Sequence, residues 1–321
     1  MRALIVTNLY PTPERPRLGR FVFDQVEAIR ARGAEVEVFS FRLGAREYLP
    51  AARRLRSLLR ERSFDLVHAH YGLCGWVASL AGARPLVVTF HGTDVRHRLV
   101  GLGSRALLRR IDLIAGASRS TFAPEGGRRG LPLDRGASAV LPCGVDLNRF
   151  RPLPRTEARA ELGLDPDGRY LLFPADPARP VKRHDRASEV ARLAGAELLV
   201  TREVEPERMP LWVNAAAAVL VTSESEGFGL AALEALACGV PLLSTPVGVA
   251  PLVAGSVPGC LVAPFDASAW ARAAQAHLDS GDPRVEGGPM PDLFSAERMA
   301  ERVLAAYRGL LEARGEGPSA A

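Results

Sequence analysis

Short apolar runs alternate with amphipathic stretches along this chain. Residues 3–9, ALIVTNL, form a compact apolar run that predicts a buried strand. Residues 20–32 set Phe21, Val22, Val26 and Ile29 at helical spacing, and Gly33 follows as a C-terminal stop. The alternating stretch 34–40 predicts a strand, and the arginine-rich stretch 49–62 predicts a helix. Strands are expected at 65–70 and 85–91, with an apolar helix around 74–81 between them, and again at 111–118 and 138–145. Strands alternating with helices predict a parallel, doubly wound sheet.

Near residues 148–154 the pattern restarts. A helix is expected over 155–164, strands over 170–175, 196–201, 217–222 and 240–245, and a last helix over 295–313. The 321 residues exceed the size at which one core usually stops growing, so two domains are the natural reading. We expect an α/β chain of two Rossmann-like domains, 1–148 and 149–313, facing a central cleft. The last helix would pack back toward the N-terminal domain, and 314–321 would be a flexible tail. Ligands in such sheets gather at the carboxyl ends of the strands.

Charge adds an asymmetry. Residues 1–150 hold 24 arginines, no lysine and 13 acidic residues, a net of +11, while residues 151–321 are net −6. The first half thus suits an anionic partner, although an arginine-rich composition spread over the surface explains the same numbers. The helix at 49–62 carries Leu55, Leu58 and Leu59 against five arginines. That pattern fits either an ordinary surface helix with its leucines on the sheet or peripheral contact with an anionic membrane. Forty of the 41 basic residues are arginine, and the lone lysine, Lys182, marks a place where a compact ammonium is wanted. No apolar run reaches the ~20 residues of a membrane helix. The N-terminus lacks the cleavage pattern of a signal peptide, and four scattered cysteines read as reduced thiols, so we expect a cytoplasmic protein, peripheral to the inner membrane face if the basic helix binds lipid.

Candidate chemistry concentrates at 223–239, SESEGFGLAALEALACG. A strand runs into a loop with two glycines and then into a helix, which offers free backbone N–H groups to a ligand. Glu226 sits in the loop, and Glu234 is the single charged residue between Gly229 and Leu243. A carboxylate in so apolar a setting is costly without a partner. Two carboxylates eight residues apart suit a polyhydroxyl ligand, and a helix-start carboxylate plus a structural ion pair suits the sequence equally well.

Taken with its neighbours, this segment resembles the retaining GT-B glycosyltransferases of the family 4, group 1 type. Glu226 and Glu234 flank Gly-Phe-Gly, with Ala-Cys-Gly-Val-Pro after them; Pro142–Asp146 with Phe150 and Pro152 resembles the family's PNGVD segment, and His91-Gly92-x-Asp94 its HGxD. The start of the chain bears a weaker resemblance to transferases of teichuronic-acid and surface-polysaccharide synthesis. The resemblance implies that Glu234 binds the nucleotide's ribose. Glu226, with Gly227, Phe228, Gly229 and Leu230, would hold the transferred sugar, aided by His91 and Asp94. Gly19 would let the chain approach the diphosphate or acceptor. Lys182 falls at the family's phosphate lysine, a point charge for the leaving diphosphate. Asp176 stands where a diphosphate arginine is usual, and Arg179 or Arg183 would substitute, Arg179 having the better position in the loop. A glutamate usual after the strand at 240–245 is replaced within Gly248–Leu252.

The implied activity is transfer of a sugar from a nucleotide-diphosphate-sugar, UDP-linked in preference to GDP-linked, to a hydroxyl of a saccharide or lipid-linked acceptor. Anomeric configuration would be retained, and the setting would be surface-polysaccharide or glycolipid synthesis. No cofactor, metal or nucleic acid is expected. Asp165-Pro166-Asp167 reads as a turn, and His68 and His70 point to one side of a strand without a third ligand in view. The alternative is a sugar-nucleotide-binding protein or epimerase on the same fold. A dinucleotide oxidoreductase would need GxGxxG after the first strand, where residues 7–13 hold no glycine.

Overall fold

The computed structural model describes residues 1–96, 98–122, 131, 137–202, 204–282 and 284–315. The chain forms two compact units, one of Met1–Gly144 joined by the segment from Ala296 onward, the other of Val145–Ser295.

The first unit runs β1 (Arg2–Thr7), α1 (Arg20–Ala31), β2 (Glu35–Ser40), α2 (Tyr48–Glu61), β3 (Leu66–His70), α3 (Gly72–Ala81), β4 (Leu86–Phe90), α4 (Thr93–Arg96), α5 (Arg98–Leu107), β5 (Leu113–Gly116) and β6 (Ala137–Val140). Its six strands are all parallel, in the order β2-β1-β3-β4-β5-β6. Strands β3 and β4 are buried on both faces; β4 accordingly reads as a nearly continuous apolar run, while β3 buries His68 and His70 among its apolar residues. One face packs against Leu55, Val77 and Leu107, the other against Val22, Val26 and Ile29 of α1. On α2, Leu55 is buried and Leu58 and Leu59 are half-buried against the core, so its leucines face the sheet while Arg53, Arg54 and Arg56 are exposed.

The second unit runs α6 (Arg155–Leu162), β7 (Tyr170–Phe173), α7 (His184–Ala194), β8 (Glu197–Val200), α8 (Met209–Ala215), β9 (Ala218–Val221), α9 (Leu230–Ala237), β10 (Leu242–Ser244), α10 (Ala250–Ala254), β11 (Leu261–Val262), α11 (Ala267–Leu278) and α12 (Met290–Leu293). Its parallel sheet has the order β11-β10-β9-β7-β8. Trp270 of α11 is fully buried with Leu171, Phe173, Leu220 and Leu243.

The last helix, α13 (Ala296–Ala313), packs on α1 and inserts Tyr307 and Val303 into the core of the first unit. The sequence reading drew its border between 148 and 149; the compact units divide after Gly144, and the chain returns to the first unit at Ala296. Arg314 and Gly315 close a turn beyond α13, and the rest of the expected tail, 316–321, lies outside the described residues. Strand β11, two residues long within the short apolar run 260–263, was not among the expected strands. Among the described residues no helix is long and apolar enough to cross a membrane.

Candidate functional site

In the second unit, two connections at the carboxyl ends of adjacent strands, β7 and β9, bring the candidate groups together. After β7 the chain makes one 3₁₀ turn, Pro180–Lys182, and enters α7 through Arg183, whose φ of 53° lies in the left-handed region. After β9 it forms the loop 222–229 and starts α9 at Leu230. The Thr222 hydroxyl lies 3.0 Å from the Lys182 carbonyl oxygen and 2.9 Å from that of Arg183, and the Glu224 N–H donates to Val181 O at 2.9 Å. From the β10 side, the Thr245 hydroxyl donates to Ser223 O at 2.6 Å, and the Val249 N–H donates to Phe228 O at 2.7 Å.

These ties set one side-chain cluster. Lys182 Nζ donates to both carboxylate oxygens of Glu226 at 2.7 Å, and the Ser223 hydroxyl donates to Glu226 Oε1 at 2.6 Å. The Lys182 and Glu226 side chains keep only 15% and 12% of their exposure, so the pair is largely desolvated but still reachable by a ligand. Charge-assisted bonds of this length are the strong class. Gly248 completes the cradle. Its φ is 59°, and an added Cβ would lie 2.3 Å from Phe228 O and 2.9 Å from the Glu226 Cβ, so only glycine fits. Phe228 is buried and its ring lies 6.0 Å from that of Phe294, while Glu234, about one turn into α9, is half-buried.

The departures from the family pattern resolve into distinct roles. Arg183 pairs with Asp185 at 2.6 Å and with Glu224 at 2.7 Å, which raises its pKa and commits its guanidinium. Asp176 caps its own turn by accepting from the Ala178 N–H at 2.9 Å. Arg179 is exposed in that loop. Asp165 accepts from the Asp167 N–H at 3.0 Å, the turn expected there. Sequence reasoning missed Ser223, Thr222 and Gly248. A hydroxyl three residues before Glu226 was the available signal, but only the fold shows which way it turns.

In the first unit the expected residues form a second group. Gly19, φ 64°, starts α1, and an added Cβ would lie 2.0 Å from Leu9 O, so the β1–α1 connection folds back on itself there. Asp94 is buried and accepts from the N–H of His91 at 3.0 Å and of Gly72 at 3.1 Å, clipping the turn after β4 to the start of α3. Burial outweighs these donors and pushes its carboxyl up to about 6.

His91 is the third histidine that the sequence reading did not place beside His68 and His70. His91 Nε2 lies 3.1 Å from His70 Nδ1, and the rings stack in the order His68, His70, His91 with centroids 4.5 and 5.3 Å apart. His68 is held by Tyr307 Oη at 2.6 Å and Thr89 Oγ1 at 2.7 Å. Phe21 and Tyr71 enclose His91. Burial holds His68 and His91 down at about 3 and His70 well below its ordinary value, so all three are neutral at pH 7. Among the described residues no group of three or more ligands is arranged to hold a metal ion.

Residues 176–280 match the family described as glycosyl transferases group 1, and residues 40–149 match glycosyltransferase family 4. A D-inositol 3-phosphate glycosyltransferase of Segniliparus rotundus is 32% identical over 79% of this chain and 68% of its own length. One from Actinosynnema mirum is 33% identical over 76% of this chain and 72% of its own, and one from Frankia alni 33% identical over 65% and 64%. The chain therefore spans about two thirds of the length of these relatives. Among solved structures, sucrose-phosphate synthase of Thermosynechococcus elongatus superposes with a TM-score of 0.74 at 22% identity, covering 97% of this chain and 99% of that one. Anabaena HepE in complex with UDP and glucose gives 0.67 at 18% identity, covering 98% and 99%. These likenesses show the GT-B fold, two parallel-sheet α/β domains.

Proposed function

The chain belongs to the group 1, family 4 glycosyltransferases, and we propose that it moves a sugar from a nucleotide-diphosphate-sugar, UDP-linked by preference, to an acceptor hydroxyl with retention of configuration. The observation that carries this reading is the Lys182–Glu226–Ser223 cluster, a cation and a carboxylate poised at adjacent strand ends.

The chemistry follows from those groups. The bond between the anomeric carbon and the β-phosphate oxygen breaks, and charge grows on the diphosphate. Lys182 leaves Glu226 for that charge, and Arg179, exposed in the same connection, joins it. Glu226, released from the ammonium and still held by Ser223, accepts from sugar hydroxyls. Glu234 accepts from the ribose hydroxyls, and the Gly227–Leu230 segment lines the sugar. The acceptor oxygen bonds to the anomeric carbon on the face the diphosphate leaves, and its proton passes to a phosphate oxygen. Positioning and charge stabilisation supply the rate, with no protein nucleophile, cofactor or metal in the scheme. In the first unit, Asp94 positions the His91 backbone, His91 meets a substrate hydroxyl as a neutral imidazole, and Gly19 permits close approach of a substrate to the chain.

The acceptor is a saccharide or lipid-linked compound, which suits surface-polysaccharide or glycolipid synthesis in the cytoplasm, with the basic face of α2 against anionic lipid. The relatives' names make a phosphorylated polyol the first acceptor to try. Nucleotide release from a panel of UDP-, GDP- and ADP-sugars, with K182A and E226A beside the wild type, tests the reading. UDP release from the wild type alone supports it. Release from no donor, or full activity in both variants, refutes it.

A further inference from the structure

A cavity of about 400 Å³ opens in the first unit beside the carboxyl ends of β1 and β2, next to the turn that Gly19 closes. The buried side chains of Asn8 and Phe41 line it, and so do Arg15 and Arg42, one from each connection. The wall is preorganised. The Asn8 amide donates to Tyr48 Oη at 3.0 Å and accepts from Cys74 Sγ at 3.4 Å, so the floor does not need to rearrange to receive a ligand.

Arginine is common in this unit, but much of it is answered by acid. Arg2 meets Glu35 and Glu37, Arg20 meets Asp24, Arg30 meets Glu27, and Arg84 meets Asp112. Neither Arg15 nor Arg42 has a carboxylate partner among the described residues. The one acid that lines the cavity, Glu14, accepts from its own backbone N–H and from the Thr12 hydroxyl instead. Two arginines without a carboxylate partner among the described residues line one cavity, and a guanidinium can meet a phosphate with paired N–H donors. The volume fits a small phosphorylated molecule rather than a bare ion.

We propose that this cavity binds the phosphate of an anionic acceptor, with Arg15 and Arg42 as its recognition residues. The proposal rests on the transferase reading, because a transferase needs a second substrate. The same chemistry, a phosphate ester beside hydroxyls, occurs in a soluble polyol phosphate and in a phospholipid headgroup, and the experiment separates them.

Binding of D-inositol 3-phosphate, of myo-inositol and of phosphatidylglycerol vesicles is measured by calorimetry and co-sedimentation on the full chain, on R15Q/R42Q and on R53Q/R54Q. The last variant removes charge from the exposed face of α2. UDP binding to each variant is the control. The expected result is binding of a phosphate-bearing probe that weakens about tenfold or more in R15Q/R42Q, with myo-inositol weak throughout and UDP binding unchanged. Binding of the soluble ester identifies a free polyol phosphate, and binding of the vesicles alone identifies a headgroup. Unchanged affinity in R15Q/R42Q, loss in R53Q/R54Q only, or no binding of either phosphate probe overturns the proposal. If UDP also fails to bind the wild type, the transferase reading falls with it; intact UDP binding confines the failure to this cavity.

Discussion

Lys182→Met keeps the apolar stem and removes the charge that both oxygens of Glu226 accept from. Removing one partner of a fully buried ion pair costs about 3–5 kcal/mol, because the other charge is left unanswered. Here the side chains retain 15% and 12% of their exposure and Ser223 still donates to Glu226, so the cost should be lower, about 2 kcal/mol. In a unit the size of Val145–Ser295, about 2 kcal/mol corresponds to a midpoint about 4–8 °C lower. Glu226→Gln should cost about 1 kcal/mol, since the long lysine stem can carry its ammonium to water. K182M/E226Q, with both charges gone, should lose less than the two single variants added, with a coupling of about 1 kcal/mol. Thermal unfolding followed by circular dichroism, with and without UDP, measures all three. UDP should raise the wild-type midpoint and leave that of K182M nearly unmoved. Strict additivity in the cycle, or equal stabilisation of K182M by UDP, would refute the reasoning.

Three further outcomes are expected. Ser223→Ala should lower kcat about tenfold or more while Ser223→Thr restores most of it, because the hydroxyl orients Glu226 rather than touching the reacting atoms; equal rates in S223A and wild type would remove that role. Gly248→Ala should weaken donor binding by displacing Phe228 and Glu226, and isothermal titration with UDP-glucose checks it; unchanged affinity would contradict the crowding. Acid should destabilise the first unit: His68, His70 and His91 hold folded-state pKa values below the usual 6.5, so the unfolded chain takes up protons the native state refuses, and stability falls as pH drops from about 6.5 toward 3. Asp94, raised to about 6, works in the opposite direction between about 4 and 6, one group against three. Urea unfolding at pH 7 and pH 5 should show the loss, and a flat profile would contradict the burial.

What could be read from the sequence follows the reach of local pattern. Strands β1, β4 and β9 were legible because burial on both faces forces nearly continuous apolar runs, and Gly33 and Gly163 marked helix ends because a left-handed residue belongs there. The loop 226–229 stood out because glycines and a carboxylate before an apolar helix are locally unusual. Strand β11 did not, since the apolar run 260–263 is too short to distinguish a strand from a loop. The return of α13 to the first unit depends on Tyr307 meeting His68, 239 residues away, which no window of sequence contains. For the same reason His91 could not be placed beside His70, nor Arg15 and Arg42 on one cavity. Lys182 stood out by its rarity and by the family resemblance, and its partner became visible only when β7 and β9 paired.

The central claim, retaining transfer that depends on the Lys182–Glu226 cluster, is tested most directly by the anomeric configuration of the product. The wild type and K182A are incubated with UDP-glucose, whose anomeric carbon is α-linked, and D-inositol 3-phosphate, and the anomeric proton of the new glycoside is followed by NMR from the first turnovers. An α-linked product from the wild type, with the rate in K182A reduced about a hundredfold or more, is the predicted result. A β-linked product, or transfer by K182A at the wild-type rate, would contradict the account.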